Sequence, residues 1–163
     1  EKVIHSEKIV YVPGGATRQE SGYLGLQEVE TEFVMIHDGV RPFLTAKHLK
    51  ALKDALKTED AALLMVPLID TIKEVKGGYV VHTPERSNYM SAQTPQAFRT
   101  ELIKKCHEEA KKHPEIVASD DAMLAELFSD TKIKVVEGSY DNIKVTTQRD
   151  LKQIHLLHEE QNT

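Results

Sequence analysis

Phe33-Val34-Met35-Ile36 runs straight into His37-Asp38-Gly39-Val40-Arg41-Pro42, and the reading of this stretch decides the fold. Four apolar residues without alternation read as a strand of a parallel sheet, buried on both faces. The strand ends at an aspartate, a glycine, and an arginine held by a proline. In open α/β sheets ligands bind in the crevice at the carboxyl ends of the strands. An acid and a fixed arginine placed there suit a metal ion and a phosphate. The same six polar-rich residues also read as a plain surface turn in which Arg41 pairs with Asp38.

Upstream, Lys8 to Val12 reads as a short β-rich run that stops at Pro13-Gly14-Gly15. A helix follows, capped by Thr17, carrying Ser21, Leu24 and Leu26 and ending near Glu30. Strand, glycine pair and helix make a βα turn through which backbone N–H groups approach a ligand, or simply a turn. Downstream, Thr45 caps a helix to about Lys57 with Leu49, Leu52 and Leu56 as its buried stripe. Ala61 to Val66 is a second unbroken apolar strand, and this alternation predicts βαβ units. Glu85 to Phe98 is polar and flanked by prolines and reads as a loop crossing a surface. Thr100 starts a helix to about Lys112, in which Cys106 packs with Leu102, Ile103 and Ala110. Ser119 caps another helix, with Asp120 and Asp121 in a first turn whose dipole favours acids. Met123, Leu124 and Leu127 form its apolar face. Lys132 to Val136 is a last strand, and Thr147 with Asp150 resembles a capping box for a closing helix with the stripe Leu151, Ile154 and Leu157.

Between these units the pattern changes. Thr71 to Val75 and Tyr79 to Thr83 are β-rich runs joined by Lys76-Gly77-Gly78, a hairpin turn. Neither run can fill a core face, and an isolated hairpin is marginal in water. The hairpin, residues 70–86, therefore needs a partner subunit, which predicts a homodimer.

The 163 residues suit one domain, and the charge sum 21 − 26 = −5 leaves no basic field for a nucleic acid. No apolar run approaches the roughly 20 residues of a membrane span. The single cysteine excludes an internal disulfide and fits a reducing cytoplasm. The eight histidines show no metal-ligand spacing and read as surface residues, with His37 set apart by its position beside the acid.

Five stretches taken together resemble the family of 2-C-methyl-D-erythritol 4-phosphate cytidylyltransferases. They are Gly14-Gly15-Ala16-Thr17-Arg18-Gln19-Glu20-Ser21, His37 through Phe43, Gln93-Thr94-Pro95-Gln96-Ala97-Phe98, Ser119-Asp120-Asp121-Ala122, and Gly138 through Thr147. They occur in the family's order and spacing. The sister family of ribitol-5-phosphate cytidylyltransferases, which serves teichoic acid synthesis, shares much of the pattern. Gly39 and the Ser119-Asp120-Asp121 stretch fit the erythritol enzymes better.

The resemblance implies a Rossmann-like nucleotidyltransferase fold with a mostly parallel sheet and a β-hairpin dimerisation arm. It implies transfer of CMP from CTP to a polyol phosphate in the isoprenoid precursor pathway, with Mg²⁺ and release of pyrophosphate. Such a site brings two polyanions together and neutralises charge at the α-phosphate, with no covalent intermediate. By resemblance Asp38 lies beside the ribose and the Mg²⁺. Gly14, Gly15 and Ser21 match cytosine-recognising positions, and Arg18 and Arg41 match arginines of the nucleotide site. Arg86, Thr94 and Ser119 match positions that hold the acceptor's phosphate, Arg86 being carried on the arm into the partner's site. Lys144 matches a lysine at the acceptor and transferring phosphates. The family's opening strand and glycine-rich loop, with an arginine and a catalytic lysine, have no counterpart before Glu1. This implies a partial domain that starts at about the third strand, has an open sheet edge, and shows at most trace activity as it stands. The alternatives are a ribitol-phosphate enzyme and an inactive dimerising fragment.

Overall fold

A computed structural model describes residues 8–151 and Ile154; Leu157 lies outside the described residues. The packing centres on β2 (Ala61–Pro67), whose run from Ala61 to Leu64 is buried. Alternate side chains of a strand point to opposite faces. Ala61 and Leu63 accordingly join one apolar cluster, while Ala62 and Leu64 join another. The first cluster is completed by α1 (Arg18–Gln27), α3 (Thr100–Ala110) and α4 (Asp121–Phe128), through Leu26, Ile103, Cys106 and Leu124. The second is completed by α2 (Ala46–Ala55) and its C-cap, through Leu52 and Leu56. Helices on both faces are why this strand reads as unbroken apolar sequence.

The sheet order is β1 (Phe33–Ile36), β5 (Met90–Arg99), β2, β6 (Ile133–Glu137). β1, β2 and β6 share one direction, so the sheet is mostly parallel in sense. β5 runs against β1 and β2 and lies hydrogen-bonded between them. β1 is an edge of the described sheet, and its four residues are only half-buried rather than covered on both faces. A second sheet, β3 (Glu74–Lys76) with β4 (Tyr79–His82), forms the arm. Its turn is made by Gly77 and Gly78 at φ 59° and 84°, the left-handed region in which glycine carries no Cβ penalty.

The largest departure from the sequence reading is Glu85 to Phe98. Apart from a single turn of 3₁₀ helix at Arg86–Asn88, this is no surface loop: most of it is β5, buried from Gln93 to Phe98. Lys8 to Val12 forms no strand. α1 stops at Gln27, short of Glu30. Asp120 rather than Ser119 caps α4, its carboxylate accepting from the Met123 N–H at 2.9 Å. Leu49, Leu127 and Leu151 are 40–48 % exposed and belong to no buried stripe. His48 and His107 are buried, contrary to a surface role for all histidines but His37. Thr17 and Thr45 cap α1 and α2 as expected, and the 146–150 turn is closed by Asp150 accepting from Thr146 and Thr147.

Candidate active site

One small cleft, of about 170 Å³, gathers chemistry from five parts of the chain. α1 gives Arg18, the turn after β1 gives Asp38 and Arg41, and β5 gives Ala92, Gln93, Thr94 and Gln96. The start of α4 gives Ser119 and Asp120, and the segment after β6 gives Lys144. Arg18, Arg41 and Lys144 stand against Asp38 and Asp120, so the lining favours an anion. The volume is below the usual range for a whole ligand and suits a phosphoryl group with its immediate attachments.

Asp38 is the electrostatic centre. Its Oδ2 lies 3.1 Å from Lys144 Nζ and 3.5 Å from Arg41 Nε. Both cations thus stand at Oδ2, and Arg41 Nε is buried without a hydrogen bond. The turn itself is rigid. The Asp38 N–H donates to Thr94 Oγ1 at 3.0 Å, and that hydroxyl lies 3.0 Å from His37 Nδ1. His37 Nε2 lies 3.0 Å from the Arg41 carbonyl oxygen. A Thr94 hydroxyl donating to Nδ1 and an Nε2–H donating to Arg41 satisfy every member.

A second set of bonds ties β5 to the segment that carries Lys144. Asn142 is fully buried, and its Nδ2 donates to the Thr94 carbonyl at 2.9 Å and to Gln93 Oε1 at 3.3 Å. The Asn142 carbonyl accepts from Arg41 Nη1 at 2.7 Å, and Gln93 Nε2 donates to the Ser139 carbonyl at 2.8 Å. Gly138 leaves room for this: a Cβ there would overlap Gln93 Oε1 and sit 3.3 Å from the Met65 carbonyl oxygen. The Val145 N–H then donates to the Val40 carbonyl at 2.9 Å, fastening the two cleft-forming segments together. Such a buried network holds side chains in place, and it leaves Asn142 Oδ1 and Arg41 Nε buried without a hydrogen bond.

Gln96 joins β5 to α4, donating to Asp120 Oδ2 at 2.7 Å and accepting from the Ala122 N–H at 2.9 Å. Asp121 faces the other way. It is buried, with Oδ2 2.7 Å from Arg18 Nη2 and Oδ1 2.9 Å from His107 Nε2. Burial pushes its carboxyl up, but the His107 hydrogen bond and the Arg18 charge outweigh this and hold it below the ordinary 3.8.

Of the residues predicted from sequence, Asp38, Arg41, Lys144, Thr94, Ser119 and Arg18 share the cleft. Gly14, Gly15 and Ser21 do not line it; they close the turn before α1, the Gly15 N–H donating to Ser21 Oγ at 3.0 Å. Arg86 stands on the arm outside this cleft, its guanidinium bonded to the Ile69 carbonyl. Sequence reasoning missed Gln93, Gln96, Asn142 and the Asp121–His107 pair. The available signal was three amide side chains inside the motifs that carried the resemblance.

The sequence model of the 2-C-methyl-D-erythritol 4-phosphate cytidylyltransferase family matches residues 1–159. Proteins of that name from Bacillus velezensis and Geobacillus thermodenitrificans are 45% and 46% identical over 88% of this chain. The chain spans 62% of the length of each of these relatives. Among solved structures, 4-diphosphocytidyl-2C-methyl-D-erythritol synthase of Anaerococcus prevotii is 36% identical at a TM-score of 0.88, over 95% of this chain and 72% of that one. The Thermus thermophilus 2-C-methyl-D-erythritol 4-phosphate cytidylyltransferase is 29% identical at 0.85, over 96% of this chain and 78% of that one.

Proposed function

The chain belongs to the 2-C-methyl-D-erythritol 4-phosphate cytidylyltransferase family, and from that premise we propose that the protein, at the length of its relatives, transfers CMP from CTP to 2-C-methyl-D-erythritol 4-phosphate. The observation that carries the reading is the meeting of Asp38 and Lys144 at 3.1 Å in a cleft whose other cations are Arg18 and Arg41. In the reaction a phosphate oxygen of the polyol attacks the α-phosphorus of CTP, a P–O bond forms, and pyrophosphate leaves with the electrons of the broken one. Nothing in this step requires a protein nucleophile; it requires cations fixed beforehand around the gathering charge. Lys144 and Arg41 are so fixed, Arg41 by the Asn142 carbonyl and Lys144 by Asp38. Ser119 offers a hydroxyl to the acceptor's phosphate, as does Thr94 once its proton turns from His37 Nδ1.

Among the described residues no group of three or more His, Cys, Asp or Glu side chains could hold a metal. Magnesium bound to a nucleotide needs less, one or two carboxylates with phosphates completing the shell. The Asp38 carboxylate, at the cleft wall, fits that demand, and a Mg²⁺ held there would supply positive charge to the phosphates. The nucleotide base would be read by the turn of Gly14, Gly15 and Ser21.

The arm completes the reading. Ile69, Val75, Tyr79, Val80 and Val81 are each more than half exposed on residues 69–81. A second copy that covered them would make a homodimer and bring Arg86 to the partner's acceptor phosphate. No helix among the described residues is long and apolar enough to cross a membrane, and with the single buried Cys106 this supports a cytoplasmic enzyme. The test is turnover by the full-length protein with CTP, Mg²⁺ and either 2-C-methyl-D-erythritol 4-phosphate or ribitol 5-phosphate. Pyrophosphate release with the first alone is expected. Release with ribitol 5-phosphate alone, or with neither, overturns the proposal.

A further inference from the structure

We propose that Asp121, with His107 behind it, is a positioning residue that fixes the Arg18 guanidinium at the cleft wall for an anionic group of the nucleotide. This rests on the cytidylyl-transfer reading above. A carboxylate withdrawn from water is costly unless paired, and an apolar set of similar volume is often as stable or more so. Asp121 is nonetheless buried at the start of α4, with both oxygens engaged on groups from two other helices. α1 supplies Arg18 and α3 supplies His107, 103 and 14 residues away in sequence. The fold has therefore converged three helices on one acid, and the only member that reaches the cleft is Arg18.

The geometry explains what the acid does. A single charge-assisted bond from Nη2 sets the plane of the rigid guanidinium. Arg18 remains 40% exposed, and among the described residues Asp121 is its one hydrogen-bond partner, so its other N–H donors stay free at the cleft. His107 in turn prevents Asp121 from rotating toward water, because its Nε2–H holds Oδ1. α1 lies close over the pair: a methyl at Gly22, one turn after Arg18, would rest 3.5 Å from the imidazole and 3.6 Å from Asp121 Oδ1. Asp120 beside it lines the cleft directly, its own oxygens held by Gln96 and Met123. Two adjacent acids thus serve different walls of one site.

The experiment is steady-state kinetics on the full-length protein carrying Asp121→Asn, Arg18→Gln, His107→Leu, His107→Gln and the Asp121→Asn/Arg18→Gln pair. Loss of one charge-assisted contact made in ground and transition states alike should raise KM for CTP about tenfold, with kcat and the KM for the polyol phosphate within about twofold. Asp121→Asn should add nothing once Arg18 is already glutamine. His107→Gln, which keeps an N–H for Oδ1, should behave as wild type, while His107→Leu should follow Asp121→Asn. The histidine variants decide the matter if Asp121→Asn fails to fold. Additive penalties in the double variant, a loss confined to kcat, or no effect of His107→Leu would overturn the proposal. The Arg18 Nε–H resonance should be sharp in wild type and lost in His107→Leu. That readout stands without turnover: a wild-type protein inert toward CTP would defeat the transfer reading, whereas an unordered Arg18 in wild type would defeat this one.

Discussion

Around the cleft, Gln93, Gln96 and Asn142 lie buried with their amides bonded to other parts of the same chain. Along the arm, Val75, Tyr79, Val80 and Val81 are 55–80 % exposed, and among the described residues their strands pair only with one another. Polar groups are inside in one region and apolar groups outside in the other. Both invert the usual arrangement, for different reasons. In the cleft the polar groups support charged side chains that must not move. On the arm the apolar groups have no cover among the described residues, and an apolar surface of this kind marks an interaction site. The contrast separates a region that satisfies its own groups from one on which the proposed second copy would sit.

The sharpest way to break the contrast is to remove its electrostatic centre. Asp38→Ala in the full-length protein should lower kcat/KM by at least about 10³-fold, as losing a preorganised electrostatic group does. Far-ultraviolet circular dichroism should be unchanged, since Asp38 lies at the rim of the fold rather than in its clusters. Near-normal turnover would remove Asp38 from the site.

Two truncations compare the regions directly. Leu64 is fully buried under α2, so Leu64→Ala should cost about 2–5 kcal/mol in urea unfolding. Val80 is 62% exposed, and Val80→Ala should change unfolding of a dilute, monomeric sample by less than about 0.5 kcal/mol. The same change should weaken self-association in sedimentation equilibrium. An arm truncation that unfolds the monomer, or one that leaves association untouched, would show that the arm leans on its own body instead.

Arg86 tests whether the two regions meet across a dimer. Arg86→Ala should raise KM for the polyol phosphate about tenfold while leaving that for CTP unchanged. Mixing inactive Asp38→Ala protein with Arg86→Ala protein should raise kcat/KM for the polyol phosphate, to about a quarter of wild type if subunits exchange at random. In the mixed dimer one site has both residues intact and the other has neither. Absence of any restoration would place Arg86 in its own subunit's chemistry or outside it.

The same contrast explains what could be read from the residues. β2 was legible because both its faces meet apolar helices, so burial and hydrophobicity coincide. β5 was not, because six buried positions in succession, Gln93 to Phe98, include two amides, a hydroxyl and a proline. Pro95 has no N–H for a ladder, and the register against β2 slips between Leu63 and Met65 at that point. A pattern reader equates polar with exposed, and that equation fails where a strand supports a site. The meeting of Asp38, Arg41 and Lys144 in one cleft was legible through motif and strand end, and the two-stranded hairpin through its want of a core face. His107 was not, since nothing local marks a histidine that faces an acid 14 residues on.

The smallest expected effect lies at His48, where a cap and a burial compete with a proton. Thr45 Oγ1 accepts from the His48 N–H at 3.5 Å, and the ring Nδ1 in return accepts from the Thr45 N–H at 3.4 Å. A protonated Nδ1 has no lone pair for that bond, and it would add charge at the positive end of α2. Burial, and then the nearby Lys47 charge, hold the His48 pKa below the ordinary 6.5. A histidine whose folded pKa is lowered leaves the unfolded chain binding more protons, so stability falls as pH drops from about 6.5 toward the folded value. His48→Gln keeps an acceptor for the Thr45 N–H and has nothing to titrate. Urea midpoints measured from pH 8 down to pH 5 should therefore fall less in His48→Gln than in wild type, with the two proteins closest at pH 8. Parallel curves would show that the ring is already free to take its proton, and that the N-terminus of α2 is held by Thr45 alone.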